Sequence, residues 1–439
     1  MKPLFVISCP IDTYSGYGAR SRDLVKSIIE LDKYDVKIMS QRWGECPWGF
    51  INDNPEWEFL QKHILNTPQL PKQPEIWAQV TVPNEFQPIG KFNIGFTAGI
   101  ETTIAIPEWI AGCNRMNLNI VSSKHSADVL KNSQFEKVNE QTKQKEGVLK
   151  LEKPIEVLFE GADLTKYFEM ADEELPDSEL VCTLDEIPES FAYLFVGHWM
   201  QGDVGEDRKN VGLLVKAFFE IFKNKKNAPA LIMKTSGAGS SYLDRDMILH
   251  KIKQIKDSVE AQTLPNIYLL HGEFTDEEMN HLYNHPKVKA MINLTKGEGF
   301  GRPLLEFSLV KKPIIASNWS GHMDFLNPEF IVAINGELKN VHPSAANQFL
   351  IQDAQWFAPN HNEVGFYLKD VFDHYKKYAD TSKRQTYRSK TMFSFDEMKK
   401  LIGSYLEQYV PEFPKQVQVK LPSLNKINIP KKPIVTTNG

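Results

Sequence analysis

Two glutamates bracket a glycine-rich loop in the second half of the chain. The loop runs Gly297-Glu298-Gly299-Phe300-Gly301, and Glu306 follows it closely. Backbone N–H groups at the start of a helix form a binding site for phosphate. Carboxylates instead bind neutral hydroxyl groups through charge-assisted hydrogen bonds. A phosphate site alone gains nothing from flanking acids, so the combination predicts a ligand whose phosphates lie between hydroxyl-bearing groups, such as a nucleotide-sugar.

The segments around the loop predict where it lies. An apolar run over residues 288–294 precedes it and is typical of a buried parallel strand. Pro303 follows at a first helical position, and apolar residues from Leu304 to Val310 provide one helix face. The apolar run 313–316 is then the next strand. The loop is therefore expected at the carboxyl edge of a parallel sheet, where open α/β sheets bind ligands.

Glu298 and Glu306, spaced around Gly-Phe-Gly, resemble the paired-glutamate motif of retaining glycosyltransferases of the GT-B fold, family-4 type. The resemblance covers roughly residues 1–410 and is judged nearest to members from large bacteriophages and environmental bacteria. It implies that Glu298 binds sugar hydroxyls and Glu306 the ribose, while the amides of Gly299, Phe300 and Gly301 bind the diphosphate. The alternative is a helix that merely carries a glutamate in its first turn.

Arg208 and Lys209 precede an apolar-faced helix that begins near Val211. Cations at a helix start oppose the helix dipole, and a bound anion would offset this conflict. In the resembled family a lysine in this region contacts the donor diphosphate. The usual arginine after the preceding strand is replaced by His198, so Arg208 is expected to supply the second cation. Lys234 ends a strand over residues 230–234 and is expected to border the cleft.

Gly16 and Gly18 lie between an apolar strand over residues 4–9 and a helix expected from about Ala19. Glycines let the backbone approach a ligand closely. In the resembled family this loop lies against the donor diphosphate and the acceptor, which makes both glycines candidate donor-binding residues. The alternative is a tight turn that binds no ligand.

Glu101 and His271 each follow an apolar run that is expected to be a strand. Glu101 comes just after the run 92–96 and is therefore expected to face the cleft. Many related glycosyltransferases have an acidic residue in a similar position, so Glu101 is the candidate for acceptor binding or for easing departure of the acceptor proton. The turn at His271 is where relatives hold the nucleobase, largely through backbone groups.

Composition excludes several other classes of protein. The chain has 439 residues, a net charge of −5 and 24% charged residues, which fits a globular protein of two domains without a global field that attracts nucleic acid. Its four scattered cysteines favour free thiols in a reducing compartment. With no predicted signal peptide or membrane span, the expected location is cytoplasmic. Asp244-Arg245-Asp246 is interpreted as helix N-terminal acids rather than a metal site, and neither a metal nor a cofactor besides the nucleotide-sugar co-substrate is expected.

The predicted fold class is α/β, with two Rossmann-like domains of the GT-B fold facing across a cleft. The expected parts are an acceptor domain over 1–165, a linker over 166–190, a donor domain over 191–390, a helix over 391–410 that returns to the first domain, and a Pro- and Lys-rich tail over 411–439. Residues 43–74 are expected to be irregular. The linker is expected to be poor in helix.

The predicted activity is metal-independent transfer of a hexosyl or pentosyl group from a nucleotide diphosphate-sugar to an acceptor hydroxyl, with retention of configuration. Two alternatives are a nucleotide-sugar epimerase of the same fold and a non-catalytic protein that binds nucleotide-sugars or acts as a scaffold. The acceptor could be a glycan, a glycolipid, a small molecule or a modified nucleic-acid base. The sequence determines neither the acceptor nor the oligomeric state.

Overall fold

The computed structural model describes residues 2–414 apart from residues 71, 140, 238 and 240. The strands and helices of the first half are β1 (Leu4–Cys9), α1 (Gly16–Glu30), β2 (Asp35–Ser40), α2 (Phe50–Asp53), β3 (Ile76–Val80), β4 (Phe92–Thr97), α3 (Pro107–Arg115), β5 (Leu118–Val121), α4 (Lys124–Asn132), β6 (Phe135–Val138), β7 (Lys145–Leu149), β8 (Ile155–Val157) and α5 (Glu179–Asp185). Those of the second half are β9 (Ala192–Val196), α6 (Val211–Phe222), β10 (Ala230–Lys234), α7 (Tyr242–Asp257), β11 (Ile267–Leu270), α8 (Asp276–Asn284), β12 (Val288–Asn293), α9 (Arg302–Phe307), β13 (Ile314–Ser317), β14 (Val332–Ile334), β15 (Gly336–Asn340), β16 (Gln355–Pro359), α10 (His361–Asp373), α11 (Tyr375–Met392) and α12 (Phe395–Tyr409).

Two six-stranded parallel sheets form the framework. The first has the order β2-β1-β3-β4-β5-β8 and the second β11-β10-β9-β12-β13-β14. In each sheet the strand order reverses direction beside the first strand of its domain, as in a doubly wound Rossmann-like fold. The two antiparallel pairs, β6 with β7 and β15 with β16, lie outside these sheets. The predicted fold class, two Rossmann-like domains of the GT-B fold, is confirmed.

Continuous apolar runs explain why most strands were predictable. Parallel strands are covered on both faces, so almost every side chain of β1, β3, β9 and β10 is buried. Strand β8 is shorter than these strands and ends at Val157. The Leu158 amide still donates to the Val121 backbone oxygen over 2.9 Å, and Glu160 lies beyond the end of the strand.

Helical structure is more extensive than predicted in two segments. Residues 43–74 contain α2 and a 3-10 helix over Pro55–His63, whose proline stands in the first turn with Glu56 and Glu58. The segment 166–190 contains α5, which begins at a cap where the Ser178 hydroxyl accepts a hydrogen bond from the Val181 amide. All three helices are short, so none shows the apolar periodicity on which the prediction relied.

Helix α12 packs against the first domain although it follows the second domain in sequence. Its residues Met398, Ile402 and Leu406 are buried in the same apolar core as Leu24 and Ile28 of α1. The chain therefore crosses between the domains twice, which ties them together. Most of the predicted tail, residues 415–439, lies outside the described residues. Among the described residues no helix is long and apolar enough to cross a membrane.

The two domains touch directly at the glycine-rich loop. A Cβ atom added to Gly297 would lie 2.0 Å from the backbone oxygen of Glu101, and one added to Gly299 would lie 2.8 Å from that of Ala98. Only glycine permits so close an approach of two backbones. The second domain thus meets the first along the segment that follows β4.

Candidate active site

A cavity of about 450 Å³ lies between the carboxyl ends of the two sheets. This volume is within the range of small-molecule sites, which is roughly 300–1,000 Å³. The predicted site residues that line it are Gly16, Glu101, Lys209, Lys234, Glu298, Gly299, Phe300, Gly301 and Glu306. They come from both domains and from widely separated parts of the sequence. The structure therefore brings most of the predicted site together.

Three predicted site residues do not line the cavity: Gly18, Arg208 and His271. Gly18 lies within the first turn of α1, where a Cβ atom would be 2.3 Å from the Thr13 backbone oxygen, so packing accounts for this glycine. The His271 ring is held by Asp244, with 2.8 Å between Nε2 and Oδ2. In the same turn, Glu273 and Phe274 are the residues that reach the cavity.

Lys209 and Glu298 form an ion pair on the cavity wall. Lys209 Nζ lies 2.5 Å from Oε1 and 2.6 Å from Oε2 of Glu298, and the two side chains are only 15% and 6% exposed. Burial raises the pKa of the Glu298 carboxyl, but Lys209 and Arg208 outweigh burial, so that this pKa lies below its ordinary value. Burial also lowers the pKa of Lys209, against the pull of Glu298. Each group of the pair favours the charged form of the other.

Arg208 connects the two domains behind this pair. Its Nη1 donates a hydrogen bond to the Gly297 backbone oxygen over 2.8 Å and lies 3.2 Å from Oε1 of Glu101. The guanidinium is thus already engaged by a carbonyl and a carboxylate. The expectation that Arg208 replaces the missing arginine as a phosphate ligand gains no geometric support, because the side chain holds the loop against the first domain instead.

Helix α6 does not carry an uncompensated cation at its start. The buried carboxylate of Asp207 accepts hydrogen bonds from the amides of Val211 and Gly212 over 3.0 and 3.3 Å. It supplies the negative charge that the helix dipole favours. Asp207 and Glu298 therefore already offset the positive charges at this helix start, and a bound anion beside Arg208 and Lys209 stays a prediction.

Glu306 is a buried carboxylate in the first turns of α9. It accepts hydrogen bonds from Arg302 Nε over 2.9 Å and from the Tyr283 hydroxyl over 3.1 Å. Burial raises its pKa to about 7, since Arg302 only partly offsets the loss of hydration. Glu306 therefore titrates near neutral pH, and its charge depends on what else occupies the cavity.

The loop between Glu298 and α9 presents unpaired donors. The Gly299, Phe300 and Gly301 amides have no hydrogen-bond acceptor within the described part of the chain, although all three residues line the cavity. Buried backbone N–H groups almost always have a partner, so consecutive unpaired ones favour a ligand with acceptor oxygens. Lys234 also lines the cavity, and its Nζ donates to the Gly272 backbone oxygen over 2.6 Å.

Sequence reasoning missed several cavity residues. Arg302 bridges Asp23 of the first domain, 2.6 Å from Nη1, and Glu306 of the second. Tyr17 and Glu160 also line the cavity. An arginine directly after the glycine-rich loop was the available signal for Arg302. No local pattern indicates Asp23 or Glu160, because their partners are far away in sequence.

The acids of Asp244-Arg245-Asp246 do not converge on a metal site. Asp244 is buried and accepts hydrogen bonds from the Gly237 amide, whereas Asp246 lies beside Arg245 on the surface. No group of three or more His, Cys, Asp and Glu side chains within the described ranges is placed to hold a metal ion.

Comparison with solved structures finds the same architecture in glycosyltransferases. A glycosyltransferase from Rickettsia africae superposes with a TM-score of 0.60 at 13% identity, covering 94% of this chain and 100% of that one. Sucrose-phosphate synthase from Thermosynechococcus elongatus gives 0.58 at 12%, covering 93% and 99%. Anabaena HepE in complex with UDP and glucose gives 0.57 at 12%, covering 92% and 100%. No family model and no curated protein matches the sequence.

Proposed function

We propose that this protein is a retaining glycosyltransferase that moves a sugar from a nucleotide diphosphate-sugar to an acceptor hydroxyl. The observation that carries the proposal is the convergence of three groups on one cavity: the Lys209–Glu298 pair, the unpaired amides of residues 299–301, and Glu306. Cations and amides fit a diphosphate, and carboxylates on either side fit the hydroxyls of the sugar and the ribose. Retention of configuration rests on the resemblance of the paired glutamates.

In the proposed reaction the diphosphate binds between the loop amides and Lys209. Lys209 then turns from Glu298 to the phosphate oxygens, which frees Glu298 to accept hydrogen bonds from the donor sugar. Negative charge grows on the leaving diphosphate as the glycosidic bond breaks, and fixed donors around it stabilise the transition state. This assignment requires no metal ion. The four free cysteines fit a reducing compartment such as the cytoplasm, and relatedness to bacteriophage enzymes stays a prediction.

A donor screen tests the proposal. The protein is titrated with UDP-, GDP-, ADP- and dTDP-sugars, beginning with UDP-glucose because Anabaena HepE has been solved with it, and sugar release is followed with and without EDTA. We expect saturable binding of one donor and slow hydrolysis that EDTA does not change. Interconversion of free nucleotide-sugars would indicate an epimerase instead. Absence of binding across the panel would indicate a scaffold, and loss of activity with EDTA would contradict metal independence.

Glu306→Gln is expected to weaken donor binding about tenfold at pH 8 with little change in turnover, because a hydrogen bond to a charged acceptor contributes about 1.5–3 kcal/mol. The raised pKa, about 7, adds a pH dependence. The ionised carboxylate accepts ribose hydroxyl hydrogen bonds, so wild-type donor affinity should fall as pH drops through about 7. The variant should lack this dependence. Calorimetric titration between pH 6 and 8.5 measures it.

The raised pKa of Glu306 also affects the stability of the protein, and this effect depends on pH in the opposite direction to donor affinity. Between its ordinary pKa of 4.5 and about 7, Glu306 binds its proton more tightly in the folded than in the unfolded state. Its contribution to the free energy of unfolding is therefore largest at low pH and declines as pH rises through this window. Glu306→Gln should remove the decline, whereas Glu260→Gln, an exposed control, should keep it. Equal pH profiles for all three proteins would refute the assigned titration.

A further inference from the structure

The half of the cavity formed by the first domain has a different character from the donor half. Its floor consists of Val80, Phe96 and Ile120, which stand at the carboxyl ends of β3, β4 and β5 and are all buried. Tyr14 and Phe50 provide aromatic walls. Apolar and aromatic linings with a few polar groups are typical of sites that bind a small organic ring.

Glu160 is the polar group of this half that lacks a strong partner. It is 9% exposed, and among the described residues its only hydrogen bond comes from the Ser122 hydroxyl, over a long 3.4 Å. No described cation lies within ion-pair distance of it. Arg20 is near, but its guanidinium donates to the backbone oxygens of Leu158 and Phe159. A buried carboxylate that faces a cavity without a full set of donors favours a ligand that supplies them.

The electrostatics of the carboxyl group agree with this geometry. Burial raises the pKa of Glu160, and the charges of Arg20 and Arg302 only partly offset burial. A hydroxyl group that donates to the carboxylate would stabilise its charged form.

The cations of this half are already engaged. Arg22 donates to the backbone oxygens of Ile11 and Thr13, and its guanidinium stacks 3.4 Å from the centre of the Phe50 ring. Arg302, which reaches this half from α9 of the second domain, is paired with Asp23 and Glu306. No cation on the described first-domain wall is therefore free to bind a phosphate, and Arg208, which reaches the second carboxylate there, is already paired with it, 3.2 Å from Glu101 Oε1.

We propose that the first-domain half of the cavity binds an uncharged, polyhydroxylated acceptor, and that Glu160 accepts a hydrogen bond from one of its hydroxyl groups. The inference rests on the proposed glycosyl transfer and deepens it by naming the acceptor class. A neutral carbohydrate ring presents hydroxyls to Glu160 and apolar C–H faces to Tyr14 and Phe50. Phosphorylated sugars and nucleic acids carry charge that this half cannot neutralise.

The test uses matched acceptor pairs and the donor identified by the screen. Neutral mono- and disaccharides are compared with their phosphate esters, and transfer is separated from acceptor-independent donor hydrolysis. We expect transfer to the better neutral acceptor to exceed transfer to its ester at least about tenfold in kcat/KM. Preference for an ester, or no acceleration by any neutral acceptor while donor hydrolysis proceeds, would overturn the inference and leave the donor assignment standing. Absence of donor binding and hydrolysis would instead refute the proposed function.

Glu160→Gln tests the assigned residue. The acceptor KM should rise about tenfold, while donor Kd and the rate of donor hydrolysis without acceptor stay within twofold of wild type. Glu160→Asp, which keeps the charge with a shorter reach, should give an intermediate KM, and exposed Glu152→Gln in the preceding segment should behave as wild type. A merely structural role predicts a change in donor hydrolysis and thermal stability without a selective rise in acceptor KM.

Discussion

Lys209→Met is expected to lower turnover by about 10²-fold or more while donor affinity changes much less. Charge on the leaving diphosphate develops in the transition state, so a cation that meets it stabilises that state more than the bound donor. The same substitution removes the partner of Glu298, which is 6% exposed in its side chain. Loss of one member of a buried ion pair costs about 3–5 kcal/mol of stability. We therefore expect one substitution to lower both kcat and the free energy of unfolding.

The double variant Lys209→Met, Glu298→Gln separates the two effects. With no unpaired buried charge, most of the lost stability should return, as measured by urea unfolding. Turnover should not return, because the cation is still missing. Lys216→Met, at an exposed position on the same helix, controls for loss of a positive charge on α6. Recovery of activity in the double variant, or normal turnover in Lys209→Met, would show that the diphosphate lies elsewhere.

The Lys209–Glu298 ion pair also shows what can and what cannot be predicted from the sequence. Glu298 was found because an apolar strand, a glycine loop and a helix stand next to each other in the sequence, and local order determines such a motif. Lys209 was found because it stands at a helix start. Their mutual ion pair joins residues 89 positions apart, and only the packing of β9 beside β12 brings them together.

Contacts between the domains were still less predictable. Arg302 meets Asp23 across 279 residues, and no local pattern gives either partner. Arg208 was interpreted as a phosphate ligand because it stands beside Lys209 at a helix start and because His198 replaces the usual arginine. Its actual partners are distant in the sequence: Glu101 follows β4 of the first domain, and the Gly297 backbone oxygen belongs to the loop after β12. Residue types and spacing thus predicted most of the residues that line the cavity. Which of their charged side chains form ion pairs depends on the tertiary structure.

Gly297→Ala is expected to hold the cleft open and to reduce transfer by about 10²-fold or more. The new Cβ atom would lie 2.0 Å from the Glu101 backbone oxygen, a contact that neither backbone can relieve without moving apart. Misplacement of reacting groups by about 1 Å can cost 10²-fold in rate. Donor affinity should change little, because most of the proposed donor ligands belong to the second domain. Small-angle scattering should show a larger radius of gyration, and steady-state kinetics a lower kcat.

A graded series distinguishes closure from local damage. Gly299→Ala places its Cβ atom 2.8 Å from the Ala98 backbone oxygen, a milder clash, so its scattering profile should lie between wild type and Gly297→Ala. Gly365→Ala on α10 meets only the flexible end of Ile221 and should leave both shape and rate unchanged. Loss of activity in Gly297→Ala with an unchanged radius of gyration would contradict this explanation. It would show that the substitution damages the loop locally and does not open the cleft. Arg208 pairs with Glu101 at the same contact. In the wild-type background, Arg208→Lys should therefore weaken this link and lower kcat. In the Gly297→Ala background, where the two segments are held apart, Arg208→Lys should change kcat no further.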